Sequence, residues 1–554
     1  MTEKMIHTNM ANRLPRTDGM LFFAAWGGFL WYVWPRLFYA TSEGIFAGER
    51  AIWGDWAGHL GGSAVFAFRP VTLWFQNHPL FYGQAFNYPF ASSMISGLLM
   101  RWGVDRVLAM VVPSLITSLV LLGVLYYFYK NILKSRRQAY LAITLFFMSG
   151  GLGFLYYVSD AFHAGTLDAW LFPMKEYTFL EDRGIHFRNV FPAELFPQRS
   201  FLLGLTVALL LLLVLTKWLS DPSDRVFPLK FFLLGFPAGL LMIVHTHTYM
   251  AMVLICLCLA VSGGAASMKR MLPFALGAAL VSLWLYLSLH GQSRPSRWFG
   301  LEWGWMSNNQ RSGILAFLKF WLMNWSLILP LALWGTIWMH DYRHPLVMAG
   351  WLLFVLCNII RFQPWNWDNT KLLTWSYLLL VIPVVRVLSA LWKKPYRFLR
   401  LGVVLMAGIL VFSGGLELMR LFQTGRTTHK MWEPSKIDMA VKLQKILHPD
   451  ETVLTDDDHL NWVACLAGGQ ILMGFRGWLW SYGIDYHERE NEIRAMYSGM
   501  PEAESLFEKY HVRYAVLSPS AREHFGGNDL YFLSKYRMVM QDRDTRVFDV
   551  RSVR

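Results

Sequence analysis

Long apolar runs recur from about residue 19 to about residue 419. A run of roughly 18 or more apolar residues with few charges makes a helix long enough to cross a bilayer. In hydrocarbon a backbone satisfies its polar groups only as helix or closed barrel, so this one pattern removes most fold classes at once. Candidate spans lie at 18–40, 107–129, 138–158, 200–217, 230–245, 247–264, 271–289, 314–338, 346–360, 372–390 and 400–417, about eleven in all. Some are shorter than a crossing usually needs. Composition agrees with a membrane chain: 55% of the residues are hydrophobic and only 16% charged, too few charges to cover a soluble protein of 554 residues. The 26 Trp suit belts at the headgroups, where amphipathic rings settle.

Orientation follows from where the cations fall. One alternate set of linkers holds Lys130, Lys134, Arg136 and Arg137, then Lys217, Arg225 and Lys230, then Lys269 and Arg270. Arg343 follows, then Lys393, Lys394, Arg397 and Arg400. The positive-inside rule puts these linkers in the cytoplasm, together with an N-terminus carrying Lys4, Arg13 and Arg16. The net charge of +14 is thereby explained by anionic lipid, and no nucleic-acid partner is expected. The first run has no small-residue cleavage site and reads as a retained span. Four Cys, three in or beside apolar runs, indicate neither a disulfide framework nor a tetrahedral metal site.

The other linkers then face outward: 41–106, 159–199, 245–248, 290–313 and 361–371. The chain divides into a polytopic membrane domain over 1–419 and an extracytoplasmic domain over 420–554. The outward linkers are the long ones and hold most of the chemistry-bearing residues. A transporter more often keeps its polar groups near the midplane on broken helices.

In the first outward linker, Glu49, Asp55 and His59 stand out, and Asp55 and His59 share a helix face at i,i+4. Such a pair suits a base and its orienting group, two ligands of a divalent cation, or an ordinary contact on an interfacial helix. His78, in Asn77-His78-Pro79, is a lesser candidate beside Asn87-Tyr88-Pro89; both read as turns. The second linker mixes Asp160, Glu176, Arg188, Glu194 and Arg199 among prolines. It suits either a phosphorylated headgroup or a solvated loop with incidental ion pairs. Arg199, just before a span, is a phosphate candidate. His245-Thr246-His247-Thr248 reads as a tight turn or a hydrogen-bonded break. The 290–313 linker brings His290, Arg294, Arg297, Glu302 and Arg311. In 358–371, Arg361, Trp365, Asn366, Trp367, Asp368 and Lys371 crowd together. Amides beside indoles suit a sugar, with planar hydrogen bonding next to a flat apolar face. A Trp belt around a turn reads equally well.

After residue 434 the apolar runs shorten. A helix at 435–447, a strand at 452–455, a helix at 459–467, a strand at 470–473, helices at 486–497 and 502–510, a strand at 512–517 and a last strand over 537–550 predict a small α/β domain with a mostly parallel sheet. Asp456-Asp457-Asp458 reads best as a helix cap, and Gly474–Trp478 lacks phosphate-loop spacing.

GDWAGH at 54–59, YPF at 88–90, FQPWNWDNTK at 362–371 and GFRGWLWSYGIDYHERE at 474–490, set in this architecture, resemble the GT-C superfamily of integral-membrane glycosyltransferases. More narrowly, the chain resembles bacterial members with an extracytoplasmic α/β tail. The resemblance implies a multi-pass enzyme of the bacterial cytoplasmic (inner) membrane. Such an enzyme takes a sugar from a polyprenyl-phosphate or polyprenyl-diphosphate carrier at the outer face. It also implies an acid in the first outward loop as base or metal ligand: Asp55 here, Glu49 less so. The adjacent acidic pair of some protein mannosyltransferases is absent. Direct displacement with inversion is expected, with Asp55 as base, His59 holding it, and Arg199, Arg361 or Lys371 on the leaving phosphate. His245, Trp365 and Asp368 are expected in the substrate site. A divalent cation, Mg or Mn, on Asp55 and His59 is a further expectation. A transporter of a lipid-linked substrate, a non-catalytic scaffold and a carrier-lipid phosphotransferase remain as alternatives, and neither sugar nor acceptor is specified.

Overall fold

The computed structural model describes residues 16–87, 89–220, 228–290, 300–304, 306, 313–363 and 365–553. Of the residues singled out above, Lys4, Arg13, Tyr88, Arg225, Arg294, Arg297 and Arg311 lie outside these, as do the side chains of Arg16, His290 and Asn366.

Among the described residues, five helices are long and apolar enough to cross a bilayer: Arg106–Leu133, Arg199–Ser220, Gly264–Leu289, Trp367–Trp392 and Arg397–Leu421. A bent pair, Ile314–Trp325 with Ile328–Trp338, makes a sixth if taken as one span. Shorter apolar helices occupy Pro228–Val244, Thr246–Ser262 and Pro345–Ile359. Within this set the roles differ sharply. The most apolar stretch of Trp367–Trp392 is 89% buried and forms the hub, whereas that of Gly264–Leu289 is 17% buried and presents Leu276, Leu280, Leu283 and Trp284 outward. A helix apolar all round is stable where other helices or lipid cover it, and these two show both ways.

Two expected spans are broken. The run over 138–158 divides into Arg136–Phe147, capped by the Ser135 hydroxyl, and Phe154–Ala164. Between them a Ser-Gly-Gly-Leu-Gly segment lies flat against neighbouring backbone. A Cβ on Gly151 would stand 1.9 Å from the Met323 carbonyl oxygen. The freed backbone groups find partners: Leu152 N–H donates to Met323 O at 2.8 Å, and Asn189 Nδ2 donates to the carbonyls of Phe147 and Ser149. Non-helical backbone within such a bundle persists only when satisfied in this way. The run over 314–338 bends by 99° at Ser326, whose φ is +52°. There Asn324 accepts from His186 N and Phe187 N, tying the bend to the 159–199 linker. The first apolar helix, Arg16–Leu37, ends in the strand Phe38–Thr41.

The C-terminal segment is interlocked with the first long linker. Gly44–Ala47 pairs with Phe38–Thr41 on one side and His429–Trp432 on the other. Arg69 donates to Gln470 Oε1 at 2.6 Å and Gly468 O at 2.9 Å, and Gly474 N donates to Leu80 O. The larger sheet runs in the spatial order Gln470–Ile471, Thr452–Leu454, Val512–Leu517, Arg546–Val553, Tyr536–Gln541. Its first two pairings are parallel and its last two antiparallel, so it is mixed, not mostly parallel. The expected single strand over 537–550 is a hairpin, and a short connection can only join antiparallel strands. The expected helix at 459–467 is a single wide turn over Val463–Ala467, and the three acids before it serve separate partners: Ser518 for Asp456, Arg476 for Asp457, Leu460 N for Asp458.

Candidate active site

The helix Arg50–Phe68 carries GDWAGH. Glu49 caps it, accepting from Ala51 N through Oε2 at 2.7 Å. Cap and lining residue thus sit six positions apart and face different surroundings. Glu49 is 2% exposed and lies 3.5 Å from Arg188, which also holds Glu176 at 2.5 Å. Arg420 continues the chain of charges to Glu176 and to Glu417. Burial raises the Glu49 pKa and the Arg188 guanidinium opposes the rise. Glu49 is therefore part of a buried ionic network, away from the cavity.

That cavity, of about 410 Å³, is lined by Asp55, His59, His245, Trp365, Asp368 and Lys371, six residues from three separate stretches of sequence. His78, His247 and Gln198 join them, with the amides Gln84, Asn87 and Gln363. Gln198 Nε2 donates to Asp55 Oδ2 at 2.7 Å, which occupies one carboxylate oxygen and fixes the other. Burial raises the pKa of Asp55 against the pull of Lys371 and Gln198. His59 is pushed down to about 3, first by burial and then by the nearby Arg199 charge, and is neutral near pH 7. Lys371 Nζ donates to Asp368 Oδ1 at 2.8 Å, one helical turn apart. His245 caps Thr246–Ser262: Thr248 N donates to its Nδ1 at 3.1 Å, so in the neutral ring Nε2 carries the proton. His247 Nε2 is buried with no hydrogen-bond partner among the described residues.

Two expected phosphate ligands lie elsewhere. Arg199 is 3% exposed at the start of its helix and donates to Ser96 Oγ at 2.5 Å and Ser114 Oγ at 3.1 Å, beside the Trp56 ring. Its charge is enclosed by packing. Arg361 sits on the two-residue strand Ile360–Arg361, paired with Gly300–Leu301, and does not line the cavity.

One Asp55 oxygen is taken by Gln198, and no group of three or more His, Cys, Asp or Glu is arranged to hold a metal ion among the described residues.

Glu194 and Gln198 escaped the sequence reading as site residues. They are one turn apart just before the Arg199–Ser220 helix. Glu194 is 2% exposed, accepts from Thr370 Oγ1 at 3.3 Å, and has its pKa raised by burial to about 8. The only available signal was a Glu and a Gln at i,i+4 among prolines. The C-terminal segment adds Trp478, Ser481, Tyr482 and Gly483 to the wall.

No protein-family model matches the sequence, and no curated protein matches it. Among solved structures, the chain is similar to the Archaeoglobus fulgidus oligosaccharyltransferase crystallised with Zn and sulfate. The TM-score is 0.51 at 12% identity, over 96% of this chain and 72% of that one. The same archaeal enzyme tethered to an acceptor peptide gives 0.51 at 10% identity, over 96% and 74%. ArnT from Cupriavidus metallidurans bound to undecaprenyl phosphate gives 0.48 at 12% identity, over 96% and 98%. At these identities the likeness to the oligosaccharyltransferase is one of fold. The chain shares the fold of that archaeal oligosaccharyltransferase.

Proposed function

We propose that this protein is a glycosyltransferase that moves a sugar from a polyprenyl-phosphate or polyprenyl-diphosphate carrier to an acceptor hydroxyl at the outer face of the bacterial inner membrane. The observation that carries this reading is the meeting of Asp55, Asp368 and Lys371 in one cavity walled by amides and indoles. A carboxylate to accept a proton, a cation to accept a phosphate and flat apolar faces for a sugar are the parts such a transfer requires.

In this mechanism Asp55 Oδ1 takes the acceptor's proton while Gln198 holds Oδ2. The acceptor oxygen bonds to the anomeric carbon as the bond from that carbon to the carrier phosphate oxygen breaks. The phosphate leaves with the electron pair, and one displacement inverts the anomeric centre. Charge grows on the phosphate as the bond opens, so Lys371 and the Nε2–H of His245 stabilise the transition state more than the bound substrate. Burial makes Asp55 a better base than an exposed aspartate. Arg199 and Arg361 take no part in the chemistry, and no step runs through a metal.

The test uses purified protein in lipid nanodiscs with a panel of polyprenyl-phosphate and polyprenyl-diphosphate sugars. Release of the free carrier phosphate is followed by mass spectrometry. Release by the wild type that falls with Asp55→Asn supports transfer. Carrier binding with no release from any donor would sink the reading and leave a transporter or scaffold.

A further inference from the structure

The cavity has a wall that the proposed chemistry does not use. Trp478, in the short helix Arg476–Ser481 of the C-terminal segment, lies against Gly58 on the helix of Asp55 and His59. A Cβ on Gly58 would stand 3.3 Å from the indole ring atoms Cη2 and Cζ3. Gly58 is one turn on from Asp55, so the indole packs on the helix face that carries the carboxylate, where a Cβ would crowd it. The indole is held from behind. Phe475 packs edge-on with its centroid 5.5 Å away, and His459 follows at 6.4 Å. Trp478 N–H donates to Phe475 O, and Ser481 Oγ donates to Trp478 O at 2.9 Å. The segment itself is fastened to the first linker by Gly474 N to Leu80 O at 2.7 Å and by Cys465 Sγ to Ala57 O. Trp478 is half-buried: fixed on one side and open to the cavity.

We propose that Trp478 is a stacking platform for a pyranose ring and helps determine which sugar the cavity accepts, a reading that rests on the glycosyl-transfer proposal. The C–H face of a pyranose is flat and apolar while its rim is hydroxylated. A rigid indole matches the face, and amides such as Gln84 and Asn87 suit the rim. Trp478 and Asp55 line the same cavity, and the indole packs one helical turn from the carboxylate at Gly58. The ring belongs to the donor or to a carbohydrate acceptor, and the two are separated by which KM moves.

Methyl pyranosides are first bound to the whole protein in nanodiscs and detected by saturation-transfer NMR, which needs no turnover. Binding to the wild type, weakened about tenfold by Trp478→Ala and restored by Trp478→Phe, is the expected result. Gly58→Ala, which displaces the ring without removing it, is expected to weaken binding in the same direction and guards against a misfolded Trp478→Ala. In the transfer assay, a raised donor KM assigns the ring to the donor, and a raised KM for octyl pyranoside acceptors assigns it to the acceptor. Pyranoside binding without any transfer would overturn the glycosyl-transfer reading and keep the platform. Transfer with both KM values unmoved by Trp478→Ala, or a peptide as acceptor with no pyranoside binding, would overturn the platform.

Discussion

Glu49 and Asp55 stand six residues apart at one end of one helix, and both looked like candidate acids. Glu49 faces counter-charge: a helix N–H donates to one oxygen, Arg188 lies 3.5 Å from the other without a hydrogen bond, and a chain of charges runs on through Glu176 and Arg420 to Glu417. Asp55 is held by a single neutral amide and opens onto a cavity. A buried carboxylate whose partners are all supplied by the protein specifies geometry, and taking one partner away is costly. A carboxylate that lines a cavity with one oxygen not hydrogen-bonded is available to a substrate. Enclosure in an ionic network on one side and access to the cavity on the other separate the two roles.

The largest expected effect tests Asp55. Asp55→Asn should lower transfer by roughly 10²- to 10⁴-fold while leaving the melting temperature near wild type. Because burial raises its pKa, wild-type activity should climb with pH through a midpoint above the ordinary aspartate range, as the base must be ionised. Next comes Lys371→Met, expected to cost roughly 10²- to 10³-fold in kcat by removing the cation that meets developing phosphate charge. Equal activity would move the leaving-group role to another residue.

Breaking the paired side should do the reverse. Arg188→Leu strands Glu49 and Glu176 and should cost about 3–5 kcal/mol of stability in thermal unfolding, with activity per folded molecule nearly kept. A stable but inactive variant would dissolve the distinction drawn here. The smallest effect at neutral pH concerns Glu194. Its folded pKa, raised to about 8, means the folded protein holds this proton where the unfolded chain has lost it. Stability from this group is therefore full below about pH 4.5 and declines as pH rises through about 8, at no more than about 1.4 kcal/mol per pH unit. Glu194→Gln should flatten that decline in a melting series from pH 5 to pH 9.

Much of the fold was legible because its causes are local. Apolar runs mark helices whatever their neighbours, and GDWAGH and WNWDNTK announced themselves as polar chemistry among apolar spans. The breaks at 148–153 and at Ser326 were not legible. The glycines matter only because Met323 and Ser413 take up the freed backbone groups, and the bend at Ser326 because Asn324 ties it to the 159–199 linker. The site divides in the same way. Asp55, His59, Asp368 and Lys371 carried residue-type signals. Arg199 carried an equally good one yet is enclosed by Ser96 and Ser114, contributed by two other helices.

By itself the sequence determined that this is a helical membrane chain and which polar segments interrupt it, because hydrophobic length and charge act residue by residue. Tertiary structure alone decided which polar residues share a cavity. Pairing is a property of neighbours brought together from distant positions, as when Gln198 reaches Asp55 and Trp478 settles on Gly58.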